Sequence, residues 1–160
     1  SGNNLVVAGW SSNSMPFGGS NVPNNGLKDI VIAKYSTTNG AHLYSNSFGG
    51  SADDIGNDVA IDPATGKIAL TGTTRSSINF GNGTVTAGPG NNAFTVNFSP
   101  ELITLWANIF ASGYGDGRTI TLSSSGDPIV AGHFNLTATF GHTTITTMGL
   151  RDIFLSKFAK

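Results

Sequence analysis

The chain of 160 residues has no cysteine, no glutamine and a single glutamate, Glu101. The lack of cysteine excludes disulfides, thiol catalysis and cysteine-ligated zinc sites. Only 11% of the residues are charged, and eight basic side chains stand against nine acidic ones. Such a neutral chain lacks the basic surface that nucleic acids or anionic membranes require, so neither is expected as a partner.

Long apolar runs are also missing. No segment approaches the roughly 18 apolar residues of a membrane span, and no charged segment followed by an apolar stretch marks a signal peptide. We therefore expect a soluble chain, either mature or a fragment, without membrane insertion.

Ser, Thr, Asn and Gly are abundant and account for 73 of the 160 residues. The apolar residues are mostly Ile, Val, Phe and Ala, in short runs between Gly, Asn and Pro. This pattern predicts an all-β chain of many short strands joined by turns. The composition is typical of secreted microbial surface proteins, which predicts an extracellular or cell-surface location.

A repeat runs through the whole chain. The segment GLKDIVIAKY at residues 26–35 returns as GLRDIFLSKF at 149–158, and NAFTVNF at 92–98 aligns with the last seven residues of both. These copies are offset by 63 and then 60 residues. Two further markers keep the same offsets, namely the segments LVVAG, IALTG and PIVAG and the Phe-Gly pairs that begin at Phe17, Phe80 and Phe140. Three agreeing markers predict a structural repeat of about sixty residues.

Each period holds four predicted strands, in the order DIVIAKY, AHLYSNSF, NDVAID and KIALTG. We expect neighbouring strands to be antiparallel, with short hairpin loops in which Gly66 and Gly126 adopt positive φ. The chain is then a single repeat array over residues 1–160, with a partial unit 1–28, full units 29–91 and 92–151, and a partial unit 152–160. About two and two thirds repeats are too few to close a ring alone.

The first strand of the unit is apolar on both faces, with Ile30 and Ile32 on one and Val31, Ala33 and Tyr35 on the other. Such a strand is expected to be covered on both sides. Four-stranded antiparallel sheets stacked as the blades of a β-propeller would bury it in this way. A ten-stranded β-sandwich is the alternative, although it would not explain the period. A parallel β-helix repeats at far shorter intervals.

The motifs DIVIAKY, SFGGSADDIGNDVAID and KIALTG resemble the bacterial seven-bladed β-propeller repeat. The similarity covers nearly the whole chain and is closest from Asp29 to Gly72. The second unit departs from it, because NIFASGYGDGRTITL lacks the Ser-Phe-Gly-Gly and Asp-Asp signature. The resemblance implies a secreted or surface-attached scaffold without an assigned reaction.

The ionisable residues form no catalytic motif. The three histidines, His42, His133 and His142, share no spacing that would bring them to one metal. Glu101 lies in a loop beside Pro100, and no serine occupies a nucleophile elbow. We therefore expect no catalytic residue and no enzymatic activity.

The segment GGSADDIGND holds the only acidic cluster, Asp53, Asp54 and Asp58. Oxygen-rich loops with glycine can bind calcium, so these residues are the candidate calcium ligands. The alternative is that they fix turns by accepting backbone N–H groups. The same capping role is expected for Asp29 and Asp152 at strand starts.

Most aromatic residues recur at equivalent positions of the repeat, which predicts core packing. Trp10 has no aromatic counterpart and is the candidate for an exposed contact with a sugar or a protein. Candidate glycosylation sites are the sequons at Asn82, Asn97 and Asn135. Asn97 aligns with two lysines of the repeat and is expected to face solvent.

In this alignment the chain begins with a fourth strand and ends with a first strand, and both need partners along their edges. Their apolar residues Val6, Ile153, Phe154 and Leu155 are expected to be partly exposed and to contact further copies of the same repeat. The sequence thus predicts a structural or adhesive repeat protein, as part of a larger propeller or a surface filament. The alternative is a glycan-binding propeller that uses the loops around Phe17, Phe80 and Phe140.

Overall fold

The structure is a computed structural model that describes residues 4–111 and 113–159. The described residues form sixteen β-strands and no helix. Accordingly, nothing within this part of the chain has the helical length and hydrophobicity needed to cross a bilayer. The predicted all-β fold class is confirmed.

In chain order the strands are β1 (Asn4–Ser11), β2 (Met15–Pro16), β3 (Asn21–Val22), β4 (Asp29–Ser36), β5 (His42–Phe48), β6 (Asp54–Ile61), β7 (Ile68–Thr74), β8 (Ile78–Asn79), β9 (Thr84–Val85), β10 (Asn92–Phe98), β11 (Thr104–Ala111), β12 (Asp116–Leu122), β13 (Pro128–Phe134), β14 (Thr137–Phe140), β15 (Thr143–Thr146) and β16 (Asp152–Lys157).

Three main sheets contain most of these strands. The N-terminal sheet has the order β1-β4-β5, the central sheet β6-β7-β10-β11-β14-β15, and the C-terminal sheet β12-β13-β16. All neighbouring strands within them are antiparallel. The short strands β2 and β3, and likewise β8 and β9, form separate hairpins.

The pairing within the sheets follows the repeat. The strand pairs β1–β4, β7–β10 and β13–β16 share one register, and their equivalent residue pairs are Val7–Ala33, Leu70–Val96 and Val130–Ser156. The three hairpins that follow are also equivalent, with the pairs Met15–Val22, Ile78–Val85 and Ala138–Ile145. The repeat predicted from sequence is therefore a repeat of strand pairing, at the same offsets of 63 and 60 residues.

The four strands of a predicted unit do not form one sheet, because the first two and the last two lie in different sheets. The predicted order places β5 beside β6, but the described strands contain no such pair, and β7 pairs with β10 instead. The chain therefore crosses to the next sheet between β5 and β6 and again between β11 and β12. Instead of pairing with β5, β6 stacks on β1: a Cβ added to Gly56 would lie 2.9 Å from the carbonyl oxygen of Gly9.

The hairpin loops have the predicted turn chemistry. Gly66, between β6 and β7, has φ 75°, and Gly126, between β12 and β13, has φ 77°. This left-handed conformation is one that glycine adopts without a steric penalty. The predicted positive φ is confirmed at both positions.

Two hydrophobic clusters lie between the three sheets. The first joins the N-terminal and central sheets through buried Ile30, Ile32, Leu70 and Phe94, among others. The second joins the central and C-terminal sheets and includes Ala69. Because Ala69 and Leu70 are adjacent on β7, their side chains point to opposite faces, and the central sheet is covered on both sides.

Each cluster contains four phenylalanines at equivalent positions of the repeat. In the first cluster these are Phe48, Phe80, Phe94 and Phe98, and in the second the equivalent residues Phe110, Phe140, Phe154 and Phe158. The ring centres of Phe48 and Phe80 are 5.4 Å apart, and those of Phe110 and Phe140 are 5.3 Å apart. A ring from the last long strand of one sheet thus packs into the face of the next sheet, as the repeated aromatic positions predict.

Two glycines allow close pairing of the strands. A Cβ added to Gly72 would lie 1.9 Å from the carbonyl oxygen of Ile55, and one added to Gly132 would lie 2.0 Å from that of Asp116. Gly9 holds the equivalent position in β1, where an added Cβ meets no atom within 4 Å. The difference arises because no described strand pairs with that edge of β1.

Substitution of these glycines by alanine is expected to have unequal effects. Gly72→Ala and Gly132→Ala force a methyl group against a paired carbonyl, so each should lower the free energy of unfolding by about 1 to 3 kcal/mol. Gly9→Ala is the matched control and should change it by less than about 0.5 kcal/mol. Urea unfolding of the three variants measures this. Equal losses at all three positions would contradict the close approach at Gly72 and Gly132.

Candidate functional site

The candidate calcium ligands serve different parts of the structure. The buried carboxylate of Asp54 accepts the backbone N–H of Gly50 at 2.8 Å and of Arg75 at 3.1 Å, and the hydroxyl of Thr74 at 2.5 Å. It therefore holds the crossing from β5 to β6. Asp53 precedes it, and its backbone carbonyl accepts the N–H of Arg75 at 3.2 Å.

The third acid, Asp58, binds the next sheet. Its Oδ2 accepts the backbone N–H of Ile120 at 2.8 Å and the hydroxyl of Thr119 at 2.7 Å, both on β12. Within the described residues, no three His, Asp or Glu side chains form a group that could hold a metal ion. The geometry thus favours turn and sheet fixation over calcium binding for Asp54 and Asp58.

At the start of three equivalent strands, a side-chain carboxylate or amide oxygen accepts a backbone N–H of the preceding loop. Asp29, Asn92 and Asp152 each accept the backbone N–H of the residue four positions earlier, at 2.7, 3.0 and 2.9 Å respectively. The capping role predicted for Asp29 and Asp152 is confirmed. Asn92 performs it with a neutral side chain.

Asp29 and Asn92 differ in whether all their side-chain polar atoms form hydrogen bonds. Asn92 is fully buried, and its amide donates to carbonyls at 2.8 to 3.3 Å, including that of Thr74. Asp29 is equally buried, but its Oδ1 has no hydrogen-bond partner. Burial raises the pKa of Asp29 above its ordinary value, and the nearby Asp54 adds to the rise, while the N–H of Asn25 opposes it.

Asp29→Asn is expected to change the pH dependence of stability. Because the pKa of Asp29 is higher in the folded than in the unfolded chain, the folded state binds more protons as that carboxyl titrates. The native chain should therefore lose stability as the pH rises from the unfolded to the folded pKa. The variant lacks this loss, so its free energy of unfolding relative to the native chain should increase between pH 3 and pH 7.

Urea unfolding at several pH values measures this difference. Asp152→Asn is the control, because Asp152 makes the equivalent bond in a more exposed position. A stability difference between native chain and Asp29→Asn that stays constant with pH would show that burial does not perturb Asp29.

A polar cluster joins the central and C-terminal sheets at one edge. Asp116 on β12 pairs with the guanidinium Nε of Arg118 at 2.8 Å and accepts the hydroxyl of Thr73 at 2.5 Å. The amide of Asn57 donates to Asp116 Oδ1 at 2.7 Å. These bonds tie β12 to β6 and β7, so the cluster has a structural role.

The three histidines lie in different surroundings. His133 Nε2 is 3.9 Å from Asp116 Oδ2, but burial and then Arg151 hold the pKa of His133 below its ordinary value. His42 Nε2 lies 3.1 Å from the hydroxyl of Ser45, and His142 is exposed. No catalytic role is predicted for any of them, and the absence of enzymatic activity stays a prediction.

Trp10 lies at the surface of the N-terminal sheet, where it is 50% exposed. The ammonium of Lys28 is 4.5 Å from the centre of its ring, within range of a cation–π interaction. Beside it is a hollow of about 120 Å³, lined among others by Val7, Phe17 and Val31. The expected exposure of Trp10 is therefore present, next to an apolar recess.

The sequons differ in accessibility. Asn82 is exposed and Asn135 is half-buried. Asn97 is only 3% exposed, so the expectation that it faces solvent is wrong. Asn97 lies between Ala69 and Trp106 in the middle of the central sheet, and the C-terminal sheet covers this face. Lys34, at the equivalent position of the N-terminal sheet, is half-buried, and its Nζ donates to the carbonyl of Pro100 at 2.6 Å.

The four predicted assembly residues fall into two pairs. Val6 and Phe154 are 8% and 5% exposed and belong to the two hydrophobic clusters, so their predicted exposure is wrong. Ile153 and Leu155 are 88% and 76% exposed. Alternation along β16 explains the contrast, because Phe154 points towards the central sheet and its two neighbours point away from it.

Ile153 and Leu155 form part of what we call the outer face of the C-terminal sheet. Their equivalents in the N-terminal sheet, Ile30 and Ile32, have no exposed surface, because the central sheet covers them. The outer face therefore corresponds to the face of the N-terminal sheet that the central sheet covers.

A groove of about 600 Å³, here called the β16 groove, runs beside the last strand. Its apolar lining consists chiefly of Leu105, Trp106, Phe140 and Phe158. Trp106 is one of the recurring aromatic residues for which the repeat predicts core packing, but its side chain is half-buried and forms a wall of this groove.

No protein-family model matches this chain, and no curated protein matches it either. The functional conclusion therefore depends on the fold and on the exposed surfaces. Two of these, the outer face and the β16 groove, adjoin the same strand.

Proposed function

We propose that the chain is a non-enzymatic, extracellular repeat module whose sheets stack on further copies of the same repeat. Such stacking would build a larger β-propeller or a surface filament. One observation carries the proposal: Ile153 and Leu155 are exposed where their equivalents Ile30 and Ile32 are completely buried by the next sheet.

The energetics favour a partner for this face. Burial of a large aliphatic side chain stabilises a protein by about 1.5 to 3 kcal/mol. At the opposite end of the array, the N-terminal sheet exposes Val7 by 41%, while its equivalents Leu70 and Val130 are buried. Part of the matching half of the contact is thus exposed at the N-terminal end, although Val31 and Ala33 on the same face are buried. Exposure at both ends suits head-to-tail stacking.

The shape of the stack supports the propeller form. Where β6 meets β1, the backbones approach so closely that Gly56 leaves no room for a side chain. Farther along the sheets, phenylalanine rings such as Phe48 and Phe98, with centres 5.8 Å apart, fill the space. Small residues at one edge and large ones at the other turn each sheet relative to the last, as blades around an axis are turned.

The mass of the native particle tests the proposal. We expect the chain to associate at high protein concentration in light scattering or sedimentation. Ile153→Asp and Leu155→Asp should each abolish this association, because a charge on the outer face cannot be buried without a partner. Ile103→Asp is the matched control, since Ile103 is 65% exposed in a loop outside this face. The control should associate like the native chain.

All variants should keep their circular dichroism spectra, because the substituted side chains are exposed. A native chain that remains monomeric at high concentration, with slow amide exchange throughout β1 and β16, would refute the stacking proposal. Equal loss of association in the Ile103→Asp control would also count against it.

Glycan binding is the second candidate function, and the position of Trp10 favours it. The ring is half exposed beside an apolar hollow, an arrangement in which a sugar ring can stack.

A glycan array on the isolated chain should then show saturable binding that Trp10→Ala removes. Tyr114→Ala is the control, because Tyr114 is 54% exposed elsewhere on the surface. An array without any saturable signal would leave stacking as the sole candidate.

A further inference from the structure

We propose that the β16 groove binds an extended strand of the same type as β11, which joins the C-terminal sheet along β16. The inference rests on the proposed function, because it names the segment of a further repeat that makes this contact. Two independent features of the groove point to such a strand.

The first feature is the free edge of β16. This strand pairs with β13 on one side, and none of the described strands pairs with it on the other. Its equivalents β4 and β10 are paired on that side by β5 and β11. An edge with unpaired N–H and C=O groups accepts a strand through main-chain hydrogen bonds.

The second feature is the apolar wall across the groove. Trp106 stands at the position that Tyr44 occupies one repeat earlier, and Tyr44, Ala107 and Ile109 all pack against the first cluster. Alternate residues of β11 are thus the ones that fill the space between two sheets. The β16 groove is the equivalent space between the central and C-terminal sheets.

The register of the bound strand follows from the repeat. Phe94 is paired with Ile109 in the central sheet, and Val96 with Ala107. At the equivalent positions of β16, Phe154 would face an isoleucine and Ser156 an alanine. Both of these side chains would point into the groove, towards Trp106.

The apolar lining distinguishes β11 from the other strand types. In β5 the equivalent positions are Ser47 and Ser45, which would place hydroxyl groups in the groove. A strand with apolar residues at both positions, as β11 has at Ile109 and Ala107, fits best.

A synthetic peptide with the sequence of residues 103–111, ITLWANIFA, and added terminal lysines for solubility is the probe. The protein is the full chain carrying Ile153→Asp, so that stacking through the outer face does not compete. We expect saturable binding of one peptide per chain and slower amide exchange in β16. Trp106→Ala should weaken binding about tenfold or more, and Trp10→Ala should leave it within about twofold.

Two altered peptides keep the test independent of the folding of Trp106→Ala. A peptide N-methylated at alternate residues loses the main-chain donors, and one with aspartate in place of Ile109 and Ala107 loses the apolar contacts. Both should bind at least about tenfold more weakly. No saturable binding of the original peptide, or equal binding of the N-methylated one, would overturn the proposal. A chain that never self-associates yet binds the peptide would refute stacking through the outer face and support strand addition.

Discussion

The structure depends on strands that are apolar on both faces. In β7 alone, Leu70 faces the N-terminal sheet and Ala69 faces the C-terminal sheet, and neither has exposed surface. A sheet made of such strands cannot leave one face in water, so it requires a sheet on each side. The three main sheets are therefore stacked, and strands β7 and β10 of the middle one are buried along their whole length.

Stacking determines which residues are allowed at the two edges of the sheets. Near β6 and β12 the backbones of successive sheets approach closely, and Gly56 and Gly117 leave space for this contact. Carboxylates at the same edge, Asp58 and Asp116, bond across the gap between sheets. At the other edge phenylalanine rings fill a wider space. Packing thus explains the acidic cluster and most of the aromatic residues without a ligand.

The need to cover both faces of each sheet makes the two end sheets the candidate interaction surfaces. Each has one face that the chain does not cover completely, and the C-terminal sheet also has a free edge along β16. Where the internal contacts use Ile30 and Ile32, this end presents Ile153 and Leu155 to solvent. A contact that occurs twice within the chain is the simplest guide to what covers these surfaces.

The sequence by itself determined the all-β class, the offsets of 63 and 60 residues, the turn glycines and the caps at Asp29 and Asp152, because these depend on local chemistry and on spacing along the chain. It could not determine how strands group into sheets, since β5 and β6 are separated by a turn as short as those within hairpins. Nor could it place Asn97, Val6 and Phe154 inside, because burial depends on which face a neighbouring sheet covers. Only the tertiary structure decided these points, through the stacking of β6 on β1 and the contacts between sheets.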